Sequence, residues 1–454
     1  MEDLKVKYLS NKRTLLSVPG TLKTDAYFTE ADSTVHLTEL TSNLGRYVSS
    51  LSSNQFGSTA QVIIPNNDIL GETYLHLQLP TNPGNSASSV WSACPGWGWA
   101  SIKQISYLWG ASNVAQISLS GKSLWAISLA QCDTAEKRSQ LCYLGGSPSP
   151  VGSPSTSIDV NVESIDDDCY LPLALPWSVM CHSGKIGYDT SLLNSPITIQ
   201  IQFAPREEFL GWASGISSTN YALIPTFFNK SEIVVRQQMF SDRSQSLKYD
   251  MQNDPTAVYN YPFKHYQSFQ KDFSATATQS TTVQLTNFIN ADLIGMVVYV
   301  VRKSKLVGGA RVGYGFSPLN ISLPSDLRLL FNGQVLYNSP GKLYLLQNCA
   351  GLSGSGSYSV PKTVSTIAGG LLTNTSYLPI VRDMIFIDFS RKHSLCFEHE
   401  YENTFRIAQQ TLDLALTLPV ELGESTTDDY TLFATYIYNG VNSTQQGSSN
   451  IYFD

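Results

Sequence analysis

The sequence predicts an all-β protein built as two tandem β-sandwiches, and three observations carry that prediction. Charged residues make up only 14% of the 454 positions while hydrophobic ones reach 42%, too few charges to clothe the exposed faces of a helical bundle. Short segments alternating apolar and polar residues recur between clusters of Gly, Pro, Asn and Ser. A weak repeat, matching in order more than in identity, returns at an offset of roughly 210 to 220 residues. Disorder is excluded, because 24 Tyr and 19 Phe are far more aromatic surface than a disordered chain carries.

Taken in order, the chain opens on an arm, residues 1–45. It shows little strand alternation and several charges, among them Lys5, Lys7, Lys12 and Arg13. The first sandwich is placed at 46–245. Val62-Ile63-Ile64-Pro65 and Tyr74 to Pro80 read as strands, and Ile197 to Phe203 is the clearest, apolar at every odd position. Ser128 to Tyr143 reads as a short surface helix with Asp133 as a possible N-cap. Phe240 to Asn260, polar and of mixed charge with one Pro, is the linker. The second sandwich, 246–454, repeats the alternation in Leu412 to Leu418, and Ser365 to Leu372 is a second helix candidate.

The repeat pairs Ala60–Pro80 with Val283–Arg302. It also pairs Gly121–Ile127 with Asn332–Tyr337, and Tyr170-Leu171-Pro172-Leu173 with Tyr377-Leu378-Pro379-Ile380. Three long polar insertions, Thr81 to Pro95, Gly145 to Ser157 and Asn348 to Ser357, interrupt closely spaced strands. Loops of such length are commonly functional or exposed.

The net charge of −7 argues against nucleic acid as the main partner, which needs clustered Lys and Arg. No apolar run is long enough to span a bilayer. Met1 to Lys7 lacks the apolar core of a signal peptide, which predicts folding in a reducing compartment. Seven cysteines without a C-x-x-C pair (Cys94, Cys132, Cys142, Cys169, Cys181, Cys349, Cys396) read as free thiols there.

No constellation commits the chain to catalysis. Ser120-Gly121-Lys122-Ser123 ends like a phosphate loop, but Gln116 stands where the first Gly belongs. Gly308 to Gly313 lacks the opening of a dinucleotide turn. His393, Cys396 and His399 have zinc-ligand spacing without a fourth ligand. Asp166-Asp167-Asp168 would point alternately along a strand rather than converge on calcium. His36, His76, His182 and His265 stand apart from any nucleophile motif. Trp91, Trp97, Trp99 and Trp109 offer either a sugar-stacking platform or, more commonly, aromatic packing. The assignment is therefore no catalytic, no cofactor-binding and no metal-binding residue, and no cofactor.

The segment Asp166 to Pro205 carries a resemblance. Tyr170-Leu171-Pro172-Leu173-Ala174-Leu175-Pro176-Trp177, then Leu192-Leu193-Asn194-Ser195, then Pro196 to Phe203 resemble the double jelly-roll major capsid proteins of the adenovirus, Polinton, virophage and large DNA virus lineage. Gly98 to Ile105 with Ile117 to Leu124, and Leu327 to Gly333 with Asp388 to Arg391, look like further parts of that family. The pattern spans about Gln55 to the C-terminus. The resemblance implies two eight-stranded jelly rolls with short helices in the connecting loops. It also implies a non-enzymatic capsid protein forming pseudo-hexagonal homotrimers that tile an icosahedral shell. Its partners would be its own copies, penton and minor capsid proteins, with room for an internal membrane. Its place would be the virion, after synthesis in the host cytoplasm and assembly there or in the nucleus. The arm is expected at the inner base of the shell, and the three insertions are expected to clasp neighbours. The rival readings are a double jelly-roll amidase of the peptide N-glycanase type and a carbohydrate-binding β-sandwich.

Overall fold

The computed structural model describes residues 40–66, 69–80, 91–94, 96–109, 115–130, 140–141, 144–146, 167–173, 188–190, 193–212, 218–240, 258–306, 324–340, 367–368, 371–372, 385–389, 405–406, 412–418, 426–445 and 448–452. The first half contains β1 (Leu40–Ser50), β2 (Thr59–Ile64), β3 (Ile69–Gln78), β4 (Trp91–Ala93), β5 (Ile102–Leu108), β6 (Ala115–Leu119), β7 (Asp168–Pro172), β8 (Tyr188–Asp189), β9 (Ile197–Phe203), β10 (Leu210–Trp212) and β11 (Lys230–Phe240). Between them lie the helices α1 (Trp97–Ala100), α2 (Gly121–Ala130) and α3 (Ser218–Tyr221). The second half contains β12 (Val258–Thr276), β13 (Ser280–Leu285), β14 (Asp292–Arg302), β15 (Asp326–Phe331), β16 (Gln334–Pro340), β17 (Ile367–Ala368), β18 (Leu371–Leu372), β19 (Ile385–Asp388), β20 (Phe405–Arg406), β21 (Leu412–Thr417), β22 (Thr427–Gln445) and β23 (Ser448–Tyr452).

The first half pairs its strands as β1-β11-β3-β7 and β2-β9-β5-β6, the second as β12-β22-β14-β19 and β13-β21-β15-β16. Taken strand for strand, the two orders are the same. Four strands in each of two facing antiparallel sheets is the jelly-roll winding, and the chain winds it twice. The all-β double jelly roll expected from the sequence is the observed fold.

The correspondence extends to single residues, because both rolls carry the same β-bulge. Pairing slips where Leu70 and Thr73 of β3 meet Gln237 and Val235, and again where Leu293 and Gly295 of β14 meet Tyr438 and Ile437. Aligned on that bulge, Tyr74 takes the place of Val297, His76 of Tyr299, Glu232 of Phe433 and Val48 of Ser268. In the other sheet the ladders equate Leu119 with Ser339, hence Ser120 with Pro340.

Each roll fills the space between its sheets with apolar side chains from alternate positions. The alternation in Ile197 to Phe203 and in Leu412 to Leu418 sends Ile197, Ile199, Ile201, Leu412, Leu414 and Leu416 inward. In β14 the pattern differs. Met296, Val298 and Val300 face the second roll's own core, whereas Val297, Tyr299 and Val301 belong to the core cluster of the first roll. The same division runs along β22, where Leu432 and Ala434 face one way and Phe433 and Ile437 the other. Strand β14 and the adjoining part of β22 are buried on both faces, which is why Val297-Val298-Tyr299-Val300-Val301 reads as an unbroken apolar run.

What covers its outer face is α2. The Ser120 hydroxyl accepts the amide of Ser123 at 3.0 Å, capping the helix start. Leu124, Trp125, Ala126 and Ile127 are all buried, and the Trp125 ring meets Tyr299 edge-on at 5.4 Å between centroids. At Gly121 the chain passes so close to the Trp99 carbonyl that a Cβ would collide with it.

Several expectations are corrected. The helix α2, capped by Ser120, starts at Gly121, ahead of the helix expected over Ser128 to Tyr143; of that expected helix Gln140 and Leu141 are helical, and Asp133 lies outside the described residues. Residues 365–372 hold the two-residue strands β17 and β18 paired with each other rather than a helix. Gly369-Gly370 is a poor helix interior and suits a hairpin connection. Gly121–Ile127 is helical while Asn332–Tyr337 forms a hairpin turn and strand, so that repeat pair was mismatched. The residue-level match to Gly121-Lys122 is Gly341-Lys342, which lies outside the described residues, as does Tyr377 to Ile380. The strand β1 starts at Leu40, inside the span assigned to the arm.

The seam predicts a specific liability. Trp125→Ala should destabilise the protein by about 3–5 kcal/mol, the cost of a large core truncation, read as a lower denaturation midpoint. A loss under about 1 kcal/mol, the level of an ordinary surface change, would show that α2 does not join the rolls.

Candidate functional site

The described surface with most chemistry is the outward face of β1-β11-β3-β7. Alternation in β3 sends Leu75 and Leu77 into the core and Tyr74 and His76 outward. His76 is nevertheless buried at 5% exposure. Its Nε2 lies 2.6 Å from Asp168 on β7 and its Nδ1 3.3 Å from Glu232 on β11. The ring stacks on Tyr170 at 4.2 Å, nearly parallel. One imidazole thus ties three strands together. Beside it Tyr74 donates to Glu72 at 3.1 Å, and Arg236 approaches the same carboxylate at 3.5 Å. Burial, with the Glu72 charge adding, pushes the Tyr74 phenol up to about 12, so it remains a neutral donor.

This cluster does not form a metal site. The two imidazole nitrogens point in opposite directions, each already engaged by a carboxylate, so the three groups cannot converge on one cation. Sequence reasoning treated His76 as isolated, since its partners lie 92 and 156 residues away. The only signal available was that His76, Tyr170 and Asp168 occupy strands that the jelly-roll order makes neighbours.

The other sequence candidates resolve as follows. Ser120 and Ser123 form the cap of α2, and Lys122 pairs with Glu208 at 3.3 Å; the segment is a helix start, not a phosphate cradle. Asp168 serves His76, and the Asp167 carbonyl accepts the amide of Leu79 at 2.8 Å. Asp166, the His393–Cys396–His399 set and Gly308 to Gly313 lie outside the described residues. Trp91, Trp97, Trp99 and Trp109 are at most 3% exposed; they are core, and no ring is presented to a sugar. Gly145 and Gly146 lie against the Trp99 and Trp97 indoles, so the start of the Gly145 to Ser157 insertion is packed rather than free. Cys94 and Cys169 are buried; the remaining cysteines lie outside what can be described of side chains.

Apolar side chains are exposed in a few places. Val48 stands open on β1, Val335 and Leu336 at the β15–β16 hairpin, and Leu223 and Phe227 after α3. Near the last pair Arg206 lies over the rings of Tyr221 and Trp212, 4.6 and 5.5 Å from their centroids. Aromatic and arginine side chains beside exposed aliphatics are the composition of protein–protein contacts.

No protein-family model matches the chain, and no curated protein sequence does. Solved structures do match. The chain is similar to the PBCV-1 virus capsid model, with a TM-score of 0.58 and 11% identity over 91% of this chain and 97% of the other. It is similar to the Faustovirus major capsid protein (TM-score 0.54, 10% identity, 89% and 90% covered). The mavirus major capsid protein gives 0.50 at 10% identity, with 91% and 92% covered. These likenesses establish that the chain has the double jelly-roll fold of those capsid proteins over about nine-tenths of its length.

Removing the imidazole should take away the group that Asp168 and Glu232 hold between them. His76→Ala is expected to cost about 1–2 kcal/mol, a lost hydrogen-bonded pair discounted for partly exposed carboxylates. His76→Gln, which keeps a donor, should cost less. Equal midpoints for His76→Ala and the unaltered protein would show that the clip holds nothing.

Proposed function

We propose that this chain is the major capsid protein of an icosahedral DNA virus, a structural component of the virion without catalytic activity. One observation supports the reading above all. Two rolls of identical winding are fused side by side, and the likeness to the PBCV-1 capsid chain covers nine-tenths of both chains. In this reading three copies form a pseudo-hexagonal capsomer of six rolls, and capsomers tile the shell.

The domain division at 46–245 and 246–454 is part of the proposal. Its support is that, among the described residues, strands through β11 pair only with one another, as do those from β12 onward. Residues ahead of β1 form the arm at the inner base. The partners are other copies, penton and minor capsid proteins, with an internal membrane compatible with the arrangement. Nucleic acid is not a specific partner, given the net charge of −7. The insertions Thr81 to Pro95, Gly145 to Ser157 and Asn348 to Ser357 are proposed as clasps over neighbouring subunits, the second of them beyond its packed Gly145-Gly146 base. The low charge suits surfaces that are buried against neighbours on several sides. Synthesis is placed in the host cytoplasm, and assembly in cytoplasm or nucleus.

Purified protein should sediment at the mass of three chains and remain so on dilution to nanomolar concentration, with shell-sized particles visible by electron microscopy. A folded monomer at micromolar concentration, or turnover of a glycopeptide, would overturn the reading.

A further inference from the structure

No charged residue pairs across the outward face of β2-β9-β5-β6. Gln61, Gln200, Ser106 and Ser118 form one line over its four strands, and Gln202 and Gln104 are partners in the next. Lys103 stands at the margin, where β5 bulges against β9. On β5 and β6 the polar groups serve one another: Gln104 donates to the Ser118 hydroxyl, which lies 3.1 Å from that of Ser106. Gln61 and Gln200 are exposed, and so is Ile63, the next outward residue of β2. The two exposed amides keep donors and acceptors at the surface.

The second roll treats the matching face differently. In the shared register, where Leu119 matches Ser339, the place of Ser106 is taken by Arg328, that of Gln104 by Asp326 and that of Thr198 by Asp413. Arg328 and Asp326 pair at 3.3 Å. Lack of charge therefore belongs to the first roll's face and is not imposed by the sheet's place in the fold.

We propose that this face meets the same face of another copy across a two-fold axis, and that assembled trimers join sideways through it. The inference rests on the capsid reading above and names a surface and a partner that the reading leaves open. Charge selects the partner. Every copy carries a net −7, so copies repel and approach with least repulsion through a face without charge; the centres of protein contacts are likewise depleted of charged residues. Chemistry selects the match. An amide both donates and accepts, so the line of Gln61 and Gln200 is complementary to a reversed copy of itself, as an isologous contact requires. Size sets the strength. Four strands about 4.8 Å apart, with three lines of side chains about 7 Å apart, cover about 300–400 Å². That is at most half of the roughly 800 Å² per partner that a stable complex buries. One contact is too small to hold two trimers at low concentration, but three on each trimer add through multivalency and extend a sheet.

The test exchanges charge for neutrality. Full-length protein is prepared with Gln61→Glu and Gln200→Glu, and separately with Gln61→Lys and Gln200→Lys. Association of the trimers is followed by light scattering from micromolar to millimolar concentration, with electron microscopy of any particles. The unaltered trimer should associate with little dependence on salt. Each charged variant should sediment as the same trimer yet associate about tenfold more weakly or worse, because like charges then face each other. An equimolar mixture of the two should recover to within about twofold of the unaltered protein. The single changes Gln200→Glu and Gln200→Lys serve if a double variant folds poorly. Either variant associating as well as the unaltered trimer, or a mixture as weak as its parts, would overturn this inference and leave the capsid reading standing. Recovery of the acidic variant by Asp326→Lys trimers would overturn it too, by placing the second roll's face opposite. So would an unaltered trimer that stays single at millimolar concentration. A monomeric unaltered protein would remove the capsid reading as well.

Discussion

Strand β14 and the part of β22 beside it have no face left for water, and the way the two rolls join follows from that. An antiparallel sheet normally covers one face and leaves the other solvated. Here one set of side chains, with Met296, Val298 and Leu432, closes the second roll, while the intervening set, with Val297, Tyr299 and Phe433, is enclosed by the first. The two sandwiches are therefore joined by packing of interior quality and do not depend on the connection between them. A unit of two rolls held in one relation is what a repeating shell needs, because angular error in each block accumulates around every closed path.

The bulge shared by β3 and β14 gives this arrangement its accuracy. On β14 it shifts the alternation, so that Leu293 and Met296 both face the inner core while Ile294 and Val297 both face the first roll. The same slip on β3 turns Leu70 and Leu75 inward and leaves His76 outward. There, in place of Tyr299 against Trp125, stands an imidazole held between two carboxylates. The two faces share geometry but not chemistry. One is a permanent seam that forms with the fold. The other carries the polar side chains of Tyr74, Glu72 and Arg236, joined through the Glu72 carboxylate.

Much of the fold was legible because half-buried strands announce themselves. Ile197 to Phe203 alternates throughout and Leu412 to Leu418 does so but for Ala415, and each is the second strand of its sheet. What was missed has a common cause. The helix α2 is apolar on all sides since it lies between the rolls, so Gly121 to Ala130 carries no stripe of helical period. The charged segment Ser128 to Tyr143 is the one that reads as a helix, and its Gln140 and Leu141 are helical. The run Val297 to Val301 held the clue to two-sided burial, but an unbroken apolar segment does not say what lies on either side. The His76 cluster was illegible for a different reason: its members come from β3, β7 and β11, and only the jelly-roll order makes those strands adjacent.

Amide hydrogen exchange across the second roll tests the two-sided burial most directly. Strands β13 and β15 of that roll carry exposed positions between buried ones, so they serve as the one-sided reference. Amides of Val297 to Val301 and Leu432 to Ala434 should exchange more slowly than those of Val283 to Leu285 and Leu327 to Leu329, and in step with the residues of α2 that cover them. Exchange in Val297 to Val301 as fast as in the reference strands, or an α2 that opens without them, would contradict the account.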